Sequence, residues 1–171
     1  MTTSVHIADY DPDWIQRYKA AQARIRQILG ALLVDIEHVG STAVPGLPAK
    51  DIIDIMPAVA LKTDLNATVG PMVAAGYTYC PSYEHAFPDR RLFRMGAGDE
   101  VTEHVHIVPI QHPFWPQHLV FRDRLRSHPD VRLAYEALKR ELAEEFRGQR
   151  ANYTEAKTSF IEEQIRLALE D

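Results

Sequence analysis

A single cysteine, Cys80, in 171 residues leaves no partner for an internal disulfide and rules out a zinc site built from several thiolates. The thiol reads as buried or idle. Long hydrophobic runs are missing as well. No stretch approaches the length of a membrane span, and the N-terminus lacks the basic stretch and apolar run of a secretory signal. The sequence therefore points to the cytoplasm and away from a membrane. Positive charge is in deficit: 19 Lys and Arg against 24 Asp and Glu give a formal charge of −5. That balance argues against broad docking on nucleic acid or anionic lipid, while leaving room for a local basic patch. Internal repeats, low-complexity tracts and linkers are absent too. What remains, 46% apolar and 25% charged residues, is the balance of a globular chain long enough to bury a core. Residues 1–171 are expected to form one domain.

Asp11-Pro12-Asp13 reads as a helix start, and Trp14, Tyr18, Ala21, Ile25 and Ile28 recur at helical spacing up to Gly30. Leu32 to Val39 alternates as a half-buried strand. Ser41 to Ala49 holds Pro45, Gly46 and Pro48, too many breakers for a helix, and reads as a shaped loop. Lys50 to Val59 is an apolar run suited to a central strand. Thr63 or Asp64 caps a helix that stops at Gly76, and Tyr77 to Cys80 starts another strand. Arg90–Met95 and Val101–Val108 flank Gly96-Ala97-Gly98-Asp99 as an antiparallel hairpin. The C-terminal third reads as three helices, Pro116 to Arg126, one capped by Ser127 to Asp130 and reaching Phe146, and Tyr153 to Leu169. The order predicts an α/β (α+β) fold, a mixed sheet flanked by helices.

Several residues stand out chemically. Gly40-Ser41 at a strand exit offers close backbone approach, amides and a hydroxyl to a phosphate, or is an ordinary turn. Asp54 in the middle of an apolar strand needs a partner, either a Lys or Arg or a divalent cation bridging carboxylate and phosphate. Asp51, three residues earlier, points to the other face. His104 and His106 share one face of a strand, where they could ligate a metal, hold an anion or serve structurally. Arg90, Arg91 and Arg94 suit bidentate phosphate contacts, and Lys50 could reach the same anion; each is alternatively a solvated charge. Tyr153 and Lys157 lie four apart on a helix, placed either for base stacking and phosphate or with the ring packed inward.

The run His38 to Leu47 (His-Val-Gly-Ser-Thr-Ala-Val-Pro-Gly-Leu), with Lys50 and Ile53-Asp54-Ile55, resembles the central signature of the GrpB family. Arg90-Arg91-Leu92-Phe93, His104-Val105-His106, Phe121-Arg122-Asp123 with His128-Pro129, and Tyr153 to Lys157 with Phe160-Ile161 extend the resemblance over nearly the whole chain. It implies a nucleotidyltransferase-like fold of the polymerase-beta-like superfamily, in which a Gly-Ser turn holds a nucleotide phosphate and strand carboxylates hold magnesium. Carried onto this chain, it implies nucleoside triphosphate binding by Gly40, Ser41, Lys50, Arg91 and Lys157. Asp54, His104 and His106 would hold a divalent metal, Mg²⁺ or Mn²⁺ with Zn²⁺ as the alternative, with Asp54 catalytic in transfer of a nucleotidyl group to an acceptor. The chain departs from the superfamily at Ile52, where the first of two alternating carboxylates is usual, and at His104-Val105-His106, which stands where a third carboxylate would be sought; it departs from the family at Asp51 and Ala156, where proline and glycine are usual. The competing expectations are a non-catalytic nucleotide or phosphometabolite module, like the domains attached to a coenzyme-A biosynthetic kinase, and a metal-dependent enzyme of another reaction type.

Overall fold

The computed structural model describes residues 6–170; the chain-start reading rests partly on residues 1–5, which lie outside them. Helix α1 (Asp13–Leu29) starts where the Asp11 carboxylate accepts the Asp13 amide at 2.9 Å, and it buries Trp14, Ala21, Ile25 and Leu29 along one stripe. Strand β1 (Leu33–Val39) follows, then the loop, then β2 (Ile53–Val59). β2 begins three residues later than its apolar run suggests. Asp51 is drawn toward α1, accepting from Trp14 Nε1 at 2.8 Å and pairing with Arg17, while the Ile52 amide turns back to the Lys50 carbonyl. Such a bend cannot continue a ladder.

Asp64 caps a tight turn that runs into the short helix α2 (Val69–Ala74), which leads to β3 (Thr78–Tyr79). β4 (Arg91–Met95) and β5 (Glu103–Pro109) form the expected hairpin. Its turn needs glycine at 96, where φ is +89° and a Cβ would stand 2.1 Å from the Glu100 carbonyl oxygen. The C-terminal part is α3 (Phe114–Ser127), α4 (Pro129–Glu145), α5 (Arg150–Glu155) and α6 (Thr158–Glu170). The last expected helix is thus two helices, broken at Ala156-Lys157.

The sheet has the order β1-β2-β5-β4-β3, with β2 and β5 parallel and the other neighbours antiparallel. Its pleat separates two environments. Ile53, Ile55 and Val59 of β2, with Phe93, Val105 and Ile107, face α1 and α2 in the main core. On the other face Met56, Ala58 and Val108 lie under Trp115 of α3. Asp54, His104 and His106 occupy that same face but line a cleft beyond the apolar cluster. The loop after β1 closes the cleft's side, because Val44 and Leu47 pack against Leu125 and Tyr135 of α3 and α4. Among the described residues no helix is long and apolar enough to cross a membrane.

Candidate functional site

The cleft encloses about 860 Å³. At its floor Asp54 of β2 is in register with His104 of β5, since parallel pairing sets the two residues side by side. His104 Nδ1 and His106 Nε2 each stand 3.4 Å from the same oxygen, Asp54 Oδ1. That is long for an N–H to carboxylate bond. It matches the roughly 3.4 Å between ligand atoms arranged tetrahedrally at about 2.1 Å around a shared ion. The three side chains offer one ligand atom each within 4.8 Å of one another. The other ring nitrogens, His104 Nε2 and His106 Nδ1, are buried without a hydrogen-bond partner.

Burial pushes the Asp54 carboxyl up, but hydrogen bonding from His104 and then His106 outweighs it and holds the group well below the usual carboxylate range. Burial lowers His106 in turn, more than Asp54 raises it. These shifts do not describe one buried ion pair. A ring held below its ordinary value is neutral at pH 7, so Asp54 is an anion beside a neutral His106, and the neutral ring is the form that ligates metals. The donor set fits a divalent cation.

Gly40 earns its place by packing: φ is +73°, and a Cβ there would stand 2.6 Å from Asp54 Oδ2. Ser41 lines the cleft, and its hydroxyl accepts from Lys139 Nζ at 3.2 Å. Lys139, on α4, also donates to the Pro48 carbonyl and lies 5.1 Å from the Tyr135 ring centroid. Only 2% of it is exposed, and burial, with the charge of Lys157 as the next cause, pushes its ammonium down to about 7. Lys157 is likewise lowered, to about 8, by burial against the raising effect of Asp54. Lys50 and Lys157 sit 4.5 and 4.3 Å from the centroid of the same Tyr153 ring.

Gly40, Ser41, Lys50, Asp54, His104, His106 and Lys157 are therefore brought to one place. Arg91 is not. The pleat turns it to the other face of β4, where it pairs with Glu84 and bonds Asn66 Oδ1, while its neighbours Arg90 and Arg94 line the cleft. Ile52, two residues before Asp54, also lines the cleft and gives it an apolar side chain there. Lys139 went unnoticed in the sequence. It occupies a buried stripe with Tyr135, Leu142 and Ala143, and a lysine at a core position of an amphipathic helix is the signal that could have exposed it.

An α+β protein with a cation-lined cleft over a carboxylate and two imidazoles is what the fold and site define. A family model described as GrpB protein matches residues 4–166. The chain belongs to the GrpB family. It is 38% identical over 157 residues to the UPF0157 protein SCO7215 of Streptomyces coelicolor, covering 92% of this chain and 80% of that protein. It is 33% identical to the UPF0157 protein YqkA of Bacillus subtilis over 92% of this chain, which spans 45% of that relative's length. Among solved structures, the conserved protein GrpB from Enterococcus faecalis superimposes with a TM-score of 0.85 at 31% identity, covering 96% of this chain and 98% of that chain. A fainter likeness, with a TM-score of 0.48 at 15% identity over 75% of this chain and 43% of that chain, is to the Cid1 poly(U) polymerase.

Proposed function

We propose that the cleft binds a nucleoside triphosphate together with a divalent cation and transfers its nucleotidyl group to an acceptor. The observation that carries this reading is the convergence of Asp54, His104 and His106, ligand atoms within 4.8 Å of one another, beside Ser41 and three lysines in one cleft. Two imidazole nitrogens and one carboxylate oxygen suit Mn²⁺ or Zn²⁺ better than Mg²⁺, which favours oxygen ligands. When bound, such an ion neutralises phosphate charge and polarises the phosphorus under attack.

The chain's own residues then have distinct tasks. Burial lowers Lys139 to about 7, so that it is partly neutral, and Lys157 to about 8, so that it stays mostly charged; an arriving polyphosphate favours the charged form of both and gains two charge-assisted contacts. Lys139 holds Ser41 in place, and Lys50 faces the ligand from the loop. Tyr153 carries two of the lysines on its ring. In the reaction an acceptor oxygen bonds to the α-phosphorus, the bond to the bridging oxygen breaks, pyrophosphate leaves with the electron pair, and the acceptor's proton passes to water.

A second reading, binding without chemistry, is favoured by Ile52, which leaves Asp54 as the one carboxylate on the described strand residues lining the cleft, with Glu155 reaching it from α5, where nucleotidyl transfer usually employs more strand carboxylates. Thermal-shift titration with ATP, GTP, CTP and UTP in the presence of Mg²⁺, Mn²⁺ or Zn²⁺ tests the binding. Asp54→Asn should stay folded and lose the metal-dependent part of the stabilisation, since it keeps size but removes the anionic ligand. Stabilisation by nucleotide that is indifferent to both metal and Asp54 would overturn the assignment. Pyrophosphate release by the wild type separates transfer from binding alone.

A further inference from the structure

The strand order places two groups of cations on opposite sides of the Asp54/His104/His106 set. On the β1 side stand Ser41 and Lys139. Asp54 follows on β2 and the histidines on β5, and next comes β4, with Arg94 in register with His104. Arg90 and Arg94 line this second wall of the cleft. A lone guanidinium withdrawn from water needs an anion or a full set of acceptors, and neither residue has them. Among the described residues neither Arg90 nor Arg94 makes an ion pair, and the Nε atom of each is buried with no hydrogen-bond partner. The carboxylates nearest in sequence are engaged elsewhere, Glu84 with Arg91 and Tyr79 and Asp89 with His112 at 3.8 Å, and Asp54 faces the two histidines.

What holds the two arginines is aromatic. Arg90 Cζ lies 4.2 Å from the Phe87 ring centroid and 5.1 Å from that of Phe114. Arg94 Cζ lies 5.4 Å from that of Tyr83, whose hydroxyl accepts from Nη2 at 2.8 Å. Ring faces orient a guanidinium without neutralising it, and they leave hydrogen-bonding edges for a planar or tetrahedral oxyanion. Phe87 and Tyr83 are themselves 47% and 41% exposed, so an apolar ledge adjoins the two charges.

We propose that Arg90 and Arg94, with Tyr83 and Phe87, form a second anion subsite that takes the acceptor, a small molecule bearing a carboxylate or phosphate beside an apolar portion. Assigning the occupant as the acceptor rests on the reading that the nucleotide phosphates occupy the Ser41/Lys139/Lys157 side; the anion site itself does not. One wall suffices for one triphosphate, and the metal set between the walls would stand next to both reactants.

The test is calorimetric titration of inorganic phosphate and of succinate into the full chain, alone and saturated with Mn²⁺ and α,β-methylene-ATP. Wild type is compared with Arg90→Gln, Arg94→Gln, Arg94→Lys and Lys157→Gln. In the saturated protein one anion should bind, and either Gln variant should weaken it about tenfold or more while nucleotide affinity holds. Arg94→Lys, which keeps the charge and loses the fork, should fall between, and Lys157→Gln should weaken nucleotide but spare the anion. The phosphate and succinate arms show which oxyanion the fork prefers. Anion affinity unchanged in both Gln variants overturns the subsite. Anion and nucleotide affinities falling together in them would mean that one ligand spans both walls, and would equally overturn it. If no nucleotide binds with any metal, the nucleotide reading fails, and the titration into protein alone still decides the anion site by contrasting the arginine variants with Lys157→Gln.

Discussion

Lys139 ties folding stability to pH. Its ammonium titrates at about 7 in the folded protein against an ordinary 10.5, so between those values the unfolded chain binds the additional proton. Stability therefore rises with pH across that window, and below it the penalty of burying the charge is fully present. Lys157, lowered to about 8, adds in the same direction. The urea midpoint of the ligand-free protein should climb from pH 7 to 9, and Lys139→Met should flatten the climb; an unchanged slope in that variant would remove Lys139 as its source. Gly40 makes a different kind of prediction. Alanine there meets a left-handed backbone and the Asp54 carboxylate at 2.6 Å, so Gly40→Ala should destabilise by at least about 1–2 kcal/mol from backbone strain alone. It should also displace Asp54 and weaken Mn²⁺ binding, readable by chemical denaturation and by the electron paramagnetic signal of free Mn²⁺.

At the scale of elements, the loop from Gly40 to Ala49 is shaped from outside itself. It has a short helical turn at Ser41–Ala43, and its carbonyls are held by cations of distant helices. Arg126 of α3 donates twice to the Ala43 oxygen, at 3.0 and 2.7 Å, and Lys139 of α4 donates to that of Pro48. The C-terminal helices thus fix the turn that carries Ser41. Arg126→Gln should cost about 0.5–1.5 kcal/mol of stability and weaken nucleotide binding. Anion binding at Arg90 and Arg94 should be untouched, because those residues stand just before and on β4. Calorimetry on the one variant reads both, and equal losses at the two walls would show that the loop is not the element affected. The break between α5 and α6 serves the same end: Tyr153 before it and Lys157 within it both line the cleft.

For the whole molecule, the sheet order makes β2 and β5 the central pair, flanked by strands on both sides and covered on both faces except at the cleft. Their amides should open only with the molecule as a whole, whereas β3, an edge strand of two residues, should open locally. Native-state hydrogen exchange should rank Ile55 and Val105 among the slowest amides and Thr78 among the fast ones. Slow exchange at β3 and fast exchange at β2 would contradict this arrangement. The same architecture explains why a costly set of polar groups is tolerated: the core opposite the cleft is continuous from Trp14 to Ile107, and its burial offsets what the cleft withholds.

Periodicity in the chain determined most of the elements, because each depends on side-chain alternation or capping within a few residues: α1 from its apolar stripe, the β4–β5 hairpin around Gly96, and α4 after Pro129. It also marked Asp54, His104 and His106, since a charge or a pair of imidazoles inside a strand pattern is visible locally. Three features were decided by tertiary structure. Strand order put the histidines beside Asp54 and the arginines beyond them. The pleat of β4 sent Arg91 away from the cleft and Arg90 and Arg94 toward it, a choice set by which face the core covers. The docking of α4 brought Lys139 to Ser41 across 98 residues of chain. A sequence pattern records which side chains share a face of their own element; which face becomes a cleft depends on the elements packed against it.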